Sequence, residues 1–472
     1  MNYFSTKLSL YSQDKYLRSD AKYHGAMLNT GNALFGTPAR SNVALYDVIA
    51  EDYRLFEYED NNEYKGIPTG QSYIDEDGCI IDYQSVTLED HPGRLRYAVN
   101  DENVLISSIR LAKSPALNFE GEDLDSFVFS NGYYIFTAKI GWDKRFVLYL
   151  LRSKRIKNMI DNHIYRGIGI SAYRVEDLLK FEIKNISLDE QKKALSLIRP
   201  HEANIRKLKA QIKSPQSIID ELFAREFGLS TETLYKIDNS QNLNIAWGNL
   251  SFNNSNLRLS TRWNKAVLIQ ESLLKMSDMF KLLGKYITKT RNGFSPECCE
   301  DATMFGVLGL DAINKDTVIK FENLKYTDIP VSDKKACFVN NGDFFVSRGN
   351  TTDLVSLASI AETNENIEPI MFPDLFVRID FTIDIDKRFM AYVFNSFIGR
   401  LYFKYATKGK NQTMVKVSAK ELNDFYVPIP TVEEQKRVVS LIQTEISKQD
   451  HLKTEISELR GKIDEIIEGA LA

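Results

Sequence analysis

The chain has 472 residues, 43% of them hydrophobic and 26% charged, and its 60 basic against 64 acidic side chains give a net charge of −4. Those values suit a soluble globular protein of roughly two to four domains; they exclude a surface coated in positive charge but allow local basic patches. Cys79, Cys298, Cys299 and Cys337 form no Cys-x-x-Cys pair and the five histidines show no ligand spacing, which argues against structural zinc and for free thiols in a cytoplasmic protein.

The opening MNYFSTKLSLYSQDKY lacks the basic-then-apolar pattern of a signal peptide, and no apolar run approaches the ~20 residues that span a bilayer. A soluble, cytoplasmic protein with no membrane partner is expected. GNALFGTP (31–38) has two glycines but lacks the Lys-Ser/Thr ending of a phosphate loop, so it reads as a structural turn. Strand-like runs follow in NVLISSI (103–109) and FVFSNGYYIFTAKI (127–140). DKRF (143–146) then leads into a helix bearing RSKRIK (152–157), a solvated basic face first and a phosphate contact second. In ISLDEQKKALSLI (186–198), Ser187-x-x-Glu190 fits a capping box, so a long helix should start there. Its apolar stripe runs through Ile205, Leu208, Ile212, Ile219 and Leu222. Pro215 falls on that stripe. The helix should therefore end near Lys213 and restart with Ser214 as cap and Pro215 in its first turn.

The second half repeats the first. A shift of 244 pairs Glu190-Gln191-Lys192 with Glu434-Gln435-Lys436, Leu208-Lys209 with Leu452-Lys453, and Ile219-Asp220-Glu221 with Ile463-Asp464-Glu465, without a gap over about 37 residues. Upstream, with small changes of offset, DKRF recurs at 386–389, Tyr149 and Ser153 match Tyr392 and Ser396, and VNDENVLIS (99–107) resembles VNNGDFFVS (339–347). Arg18-x-Asp20-x-Lys22-Tyr23 likewise resembles Arg258-x-Ser260-x-Arg262-Trp263. Thr431-x-x-Glu434 is a second capping box, and Leu452, Ile456, Leu459, Ile463 and Ile466 continue the same stripe with no break expected at Leu459.

These observations predict an α+β protein that is internally duplicated, with copies at roughly 1–228 and 229–472. Variable domains at 1–186 and 229–430 alternate with long helices at 187–228 and 431–472. The helices carry the a/d seam of an antiparallel coiled coil; the alternative is that each stripe docks its helix on its own domain. A helix of about 35 residues spans roughly 50 Å, sufficient to separate two readers by one turn of B-DNA, ~34–36 Å.

The chain resembles a specificity subunit of a type I restriction–modification system. IPTVEEQKRVVSLI and ISLDEQKKALSLI are similar to the family's PLPPLxEQxxI element, and NNGDFFVSRGNTTDLVSLASI to its GDxLxSxxGxxxxxAxV element. The first half departs, with Glu102-Asn103 where the second has Gly342-Asp343, and IKNISLDEQ lacks the prolines of VPIPTVEEQ. The resemblance implies that each variable domain, a target-recognition domain, reads half of a bipartite site in double-stranded DNA. It implies helices that pair antiparallel and bind two DNA adenine methyltransferase subunits, and leaves open whether ATP-dependent restriction subunits join. Catalysis would lie in those partners. The residues agree: there is no Gly-rich S-adenosylmethionine loop, no Asn/Asp-Pro-Pro-aromatic tetrad and no Walker A sequence, so no enzyme and no cofactor are expected. Two other readings compete: a coiled-coil scaffold joining two protein-binding domains, and an enzyme whose site no motif reveals.

DNA contact needs donors for phosphates and side chains that read base edges. The second half offers Ser347, Arg348, Asn350, Thr351 and Thr352, then Lys408, Lys410, Asn411 and Gln412. The first offers Ser107, Ser108, Arg110 and Lys113, then Tyr165, Arg166 and Arg174. Against this stands the plain reading of polar, solvated loops.

Overall fold

Each DKRF segment starts a helix for a local reason. Asp143 caps Lys144–Arg152 by accepting from the Arg145 and Phe146 amides (2.9 and 3.3 Å). Asp386 caps Lys387–Asn395 by accepting from Phe389 (2.9 Å). Phe146 and Phe389, the last letter of each motif, are fully buried. Both helices break at a buried serine, Ser153 or Ser396, which caps the next helix, Lys154–Met159 or Phe397–Ala406.

The structure, a computed structural model, describes residues 42–70, 72–119, 121–165, 172–243, 260–302, 305–328, 337–362, 369–408 and 414–471. GNALFGTP and the 18–23 motif lie outside them. The chain forms two compact units: Met1–Gln211 with Thr454–Ala472, and Ile212–Lys453. Both mix α and β. In the first, Ile49–Glu51 and Asn103–Ser107 flank Tyr133–Ala138 in an antiparallel sheet, Tyr64–Ile67 pairs in parallel with Phe127–Ser130, and Asn42–Ala44 pairs with Glu182–Lys184. In the second, Ile287–Asn292 and Phe344–Ser347 flank Phe376–Phe381, Phe305–Val307 pairs in parallel with Ile370–Met371, and Phe280–Leu282 pairs with Tyr426–Pro428. These pairings correspond, although the sheets around them differ: three and five strands in the first unit against four and three in the second.

The departure at Glu102-Asn103 is chemically mild. Asn103 Oδ1 accepts from the Asn100 amide (2.8 Å), as Asp343 Oδ2 accepts from Asn340 (2.9 Å). Only the second turn uses a left-handed residue, Gly342 at φ 79°.

The long helices start as their caps dictate. Ser187 and Glu190 form the reciprocal capping box of Leu188–Lys209, and the Glu434 amide donates to Thr431 Oγ1 (3.3 Å) at the head of Val432–Leu471. The first helix ends at Lys209, four residues earlier than expected. Ser214 caps Pro215–Phe227 with proline in the first turn, and Gly228 (φ 65°) closes it. The second helix runs unbroken for 40 residues. Its buried stripe drifts from the predicted one: Ile456 and Leu459 are buried, but further on Ile467 and Leu471 bury more fully than Ile463 and Ile466. A helix repeats every 3.6 residues, so a seven-residue pattern slides around it by about 20° per heptad.

The long helices join the largest apolar cluster of each unit. In the first, Leu195 and Ile198 pack in the cluster that holds Phe146, Leu150, Ile156, Ile467 and Leu471. In the second, Ile219, Leu222 and Phe223 join Phe389, Phe394, Val438 and Ile442. Within the second unit the Lys213 amide donates to Gln449 Oε1 (2.9 Å) and Glu226 meets Arg437 (2.5 Å), so those helical segments run in opposite directions. No helix among the described residues is long and apolar enough to cross a membrane.

Candidate nucleic-acid interface

The frame under each candidate site is a buried glutamine. Gln191 and Gln435 are wholly buried. Gln191 Oε1 accepts from the Asp143 amide (2.7 Å) and its Nε2 donates to the Gly141 and Ile186 carbonyls (3.0 and 3.2 Å). Gln435 does the same with the Asp386 amide (2.8 Å) and the Asp384 and Pro430 carbonyls (2.8 and 3.0 Å). The repeated glutamine thus fastens the cap of each DKRF helix, whereas the glutamates differ. Glu190 closes a capping box on Ser187, and the Glu434 carboxylate instead takes Arg437, so the second capping box expected from the sequence is only half formed. A second matched bond lies on the helix that follows. The Lys154 amide donates to Asp464 (3.3 Å) and the Phe397 amide to Asp220 (2.7 Å). Burial pushes Asp220 up to about 6, against the opposing pull of the Phe397 amide and Gln216.

On the second frame, the two candidate clusters come together. Gly349–Asn350 pairs with Val415–Lys416, the Val417 amide donates to the Arg348 carbonyl (2.9 Å), and Lys408 bridges to Lys416. Arg348 is half-buried, with Nη1 3.3 Å from the Asp374 carbonyl. Asn350 Oδ1 accepts from the Thr351 amide (2.8 Å), turning the loop, and Thr351 and Thr352 are partly exposed. Lys408 Nζ lies 3.2 Å from the buried Glu421. Lys410, Asn411 and Gln412 lie outside the described residues.

The first frame joins the corresponding segments. The Tyr173 amide donates to the Ser108 carbonyl (3.1 Å) and Ile109 bridges to Ala172. The Arg110 guanidinium lies over the Tyr165 ring at 4.0 Å, and its Nε donates to the Asp161 carbonyl (2.6 Å). Arg174 is exposed at the start of Val175–Leu179, and Lys113 is exposed. Arg166 lies outside the described residues.

Three expected contact residues are corrected. Ser107, Ser108 and Ser347 are buried: Ser108 Oγ donates to the Gly132 carbonyl (2.7 Å), Ser347 Oγ donates to Leu354 (3.0 Å), and Ser107 Oγ accepts from the Ile109 amide (3.3 Å). Ser107 and Ser347 end buried strands, Ser108 follows directly, and all three shape the loops from beneath.

RSKRIK is spent inside its own unit. Lys154 pairs with Asp464, Arg155 with Glu468, Lys157 with Asp161, and Arg152 with Asp77. Asp77, only 7% exposed, also takes both Arg460 nitrogens (2.9 and 2.7 Å) and Lys209, which in turn reaches Asp75 (2.6 Å). Burial favours the neutral carboxyl, but hydrogen bonds from Arg460 and Lys209 outweigh it and hold Asp77 at about 2. Sequence reading missed this cluster because Asp77, Arg152, Lys209 and Arg460 lie far apart in the chain.

No family model matches the sequence, and no curated protein matches it. Among solved structures, the chain is similar to one described as the structural basis of complex assembly and conformational transition of the type I R-M system, at 15% identity over 91% of this chain and 97% of that one, TM-score 0.46. It is also similar to the HsdS subunit from Thermoanaerobacter tengcongensis (16% identity, 91% and 96% covered, TM-score 0.36). A third is the type I restriction–modification S subunit from M. genitalium (12%, 93% and 98%, TM-score 0.35).

Proposed function

We propose that this chain is the non-catalytic DNA-recognition subunit of a type I restriction–modification complex, each unit reading one half of a bipartite duplex site. One observation carries the reading. Each unit joins the same two segments of chain on the same glutamine-clasped frame, yet furnishes them differently: Arg110 over Tyr165 in one, Arg348 with Thr351 and Thr352 in the other. A shared frame with different side chains suits two readers of different sequences, since phosphate contacts only position a protein while base edges specify.

The architecture that goes with it has recognition domains at 1–186 and 229–430 and spacer helices at 187–228 and 431–472, paired antiparallel. The matched Asp464 and Asp220 bonds support internal duplication, as do the opposed helical segments within the second unit. A 40-residue helix is about 60 Å long, ample for one turn of B-DNA. The protein works in the cytoplasm with two copies of a DNA adenine methyltransferase subunit, because a duplicated frame offers a duplicated binding surface. Ile140 and Ile383, at matched positions three residues before each DKRF cap, are both left almost wholly exposed. Mass measurement of the purified complex at saturation is expected to give two methyltransferase subunits per chain; one would count against the duplicated surface.

Selection of preferred sites from a random duplex library, with the methyltransferase present, tests the reading directly. Arg348→Ala is expected to cost about 1–3 kcal/mol in binding and relax preference in one half-site only. Equal loss of specificity in both halves would sink the two-reader assignment. A chain with no salt-dependent affinity for duplex DNA would leave the scaffold reading in its place.

A further inference from the structure

The second unit carries a groove that sequence reading did not single out. Thr352 and Asp353 of the recognition loop form one wall; Arg262 and Lys265 of the Thr261–Met276 helix and Lys404 and Tyr405 of the Phe397–Ala406 helix form the other. Among the described residues Arg262 donates to neutral oxygens, the Lys404 carbonyl (3.1 and 2.7 Å) and Thr407 Oγ1 (3.0 Å). Lys265 Nζ donates to the Asp238 carbonyl (2.7 Å) and lies over the Tyr405 ring. The Asp238 carboxylate is already held by Lys404 Nζ (2.7 Å) and Tyr405 Oη (2.6 Å). Among the described residues, neither Arg262 nor Lys265 forms an ion pair with a carboxylate. One helical turn before Lys404 stands Arg400, whose Nη2 reaches the Val355 carbonyl while its Nε and Nη1 are buried without a hydrogen-bond partner.

The matched positions of the first unit show what is different. Lys157 corresponds to Arg400 by the shift that aligns the two DKRF motifs, and it too reaches a loop carbonyl, that of Ala112. Four residues on it meets Asp161, whereas four residues on from Arg400 the chain carries Lys404. The acid that neutralises the first unit is replaced by a base in the second. Arg262, Lys265 and Lys404 line the groove with one carboxylate, Asp353, which also acts on the buried Arg400 behind it. Burial pushes the Arg262 guanidinium down from its ordinary value and Arg400 down to about 10, so both would gain from an anion.

We propose that this groove holds a phosphodiester of the DNA backbone beside the second half-site, with Arg262 and Lys265 as its charged contacts and the Thr352 hydroxyl as a neutral one. The assignment rests on the DNA-recognition reading and adds an anchor that is independent of base sequence. A planar guanidinium and an ammonium that form no ion pair among the described residues, beside a candidate recognition loop, suit a phosphodiester oxygen, although Lys265 also helps to hold the Asp238 carboxylate down.

The test uses the full chain with its methyltransferase and two duplexes, one carrying the selected site and one unrelated, titrated from 50 to 200 mM salt. Lys265→Gln and the double variant Arg262→Gln/Lys265→Gln should weaken both duplexes by about the same factor and reduce the slope of log affinity against log salt by about one for each positive charge removed. Lys265→Arg, which keeps the charge, should restore the wild-type slope. Because Arg262 also holds the Lys404 carbonyl, the lone Lys265 variant guards against a folding defect. A wild-type slope in both variants would overturn the proposal, as would a loss confined to the selected site, which would make these residues base readers. If the wild-type chain bound neither duplex, the DNA-recognition reading itself would fall, an outcome distinct from either.

Discussion

Gln435→Ala should destabilise the second unit by about 3 kcal/mol, and Gln191→Ala should do the same to the first. Each glutamine is fully buried and makes three hydrogen bonds to backbone groups. Truncation would leave one amide and two carbonyls without partners, each at ~1–3 kcal/mol before the site relaxes. Gln435→Glu should be worse at neutral pH, because an ionised carboxylate would face the Asp384 and Pro430 carbonyls where the amide nitrogen now donates. Urea unfolding followed by hydrogen exchange in each unit measures this. The matched bonds require matched losses, so a near-neutral Gln191→Ala beside a damaging Gln435→Ala would break the equivalence of the frames.

Asp77→Ala should cost the first unit about 3–5 kcal/mol, the ordinary penalty for removing one partner from a buried ion cluster. Arg152, Lys209 and Arg460 would be left converging on a site from which their shared carboxylate had gone. The same group gives the wild-type unit an acid limit. Its folded value of about 2 lies below the ordinary 3.8, so its contribution is present above pH ~4 and is lost as pH falls towards 2. The shift amounts to about 2–3 kcal/mol. Acid titration of thermal stability should therefore show a loss over that window in the wild type, reduced in Asp77→Asn. An unchanged acid profile in that variant would show that the cluster does not set the limit.

The repeat itself was plain from Glu-Gln-Lys and DKRF, but only half of its meaning was. Glu190 acts within its own turn, so the capping box could be read from four adjacent residues. Gln191 acts on Asp143, 48 residues away, and nothing local announces that. The loop candidates divided in the same manner. Arg110, Thr351 and Thr352 are at least partly exposed, whereas Ser107, Ser108 and Ser347 lie at or just past the ends of strands whose buried face the short apolar runs left ambiguous. Arg262 could have been noticed, because its motif recurs with a base, Lys22, in the first half; without the groove there was no reason to choose it.

By itself the sequence determined where the long helices start, the restart at Pro215, the mixed α and β character and the residue types of the loops. Caps, prolines and apolar periodicity act within one or two turns, and their energies do not depend on what lies elsewhere in the chain. Only the tertiary structure decided which charges remain for a ligand. RSKRIK is the denser basic run, yet Asp464, Glu468, Asp161 and Asp77 take up its cations. The sparser Arg262 and Lys265 form no ion pair among the described residues, because the hydrogen bonds to Asp238 come from Lys404 and Tyr405 and Lys265 acts on it only from farther away. Coulombic pairing depends on distance in space, and folding brings Asp464 and Glu468 from more than 300 residues away onto one basic run while Arg262 and Lys265 form no ion pair among the described residues.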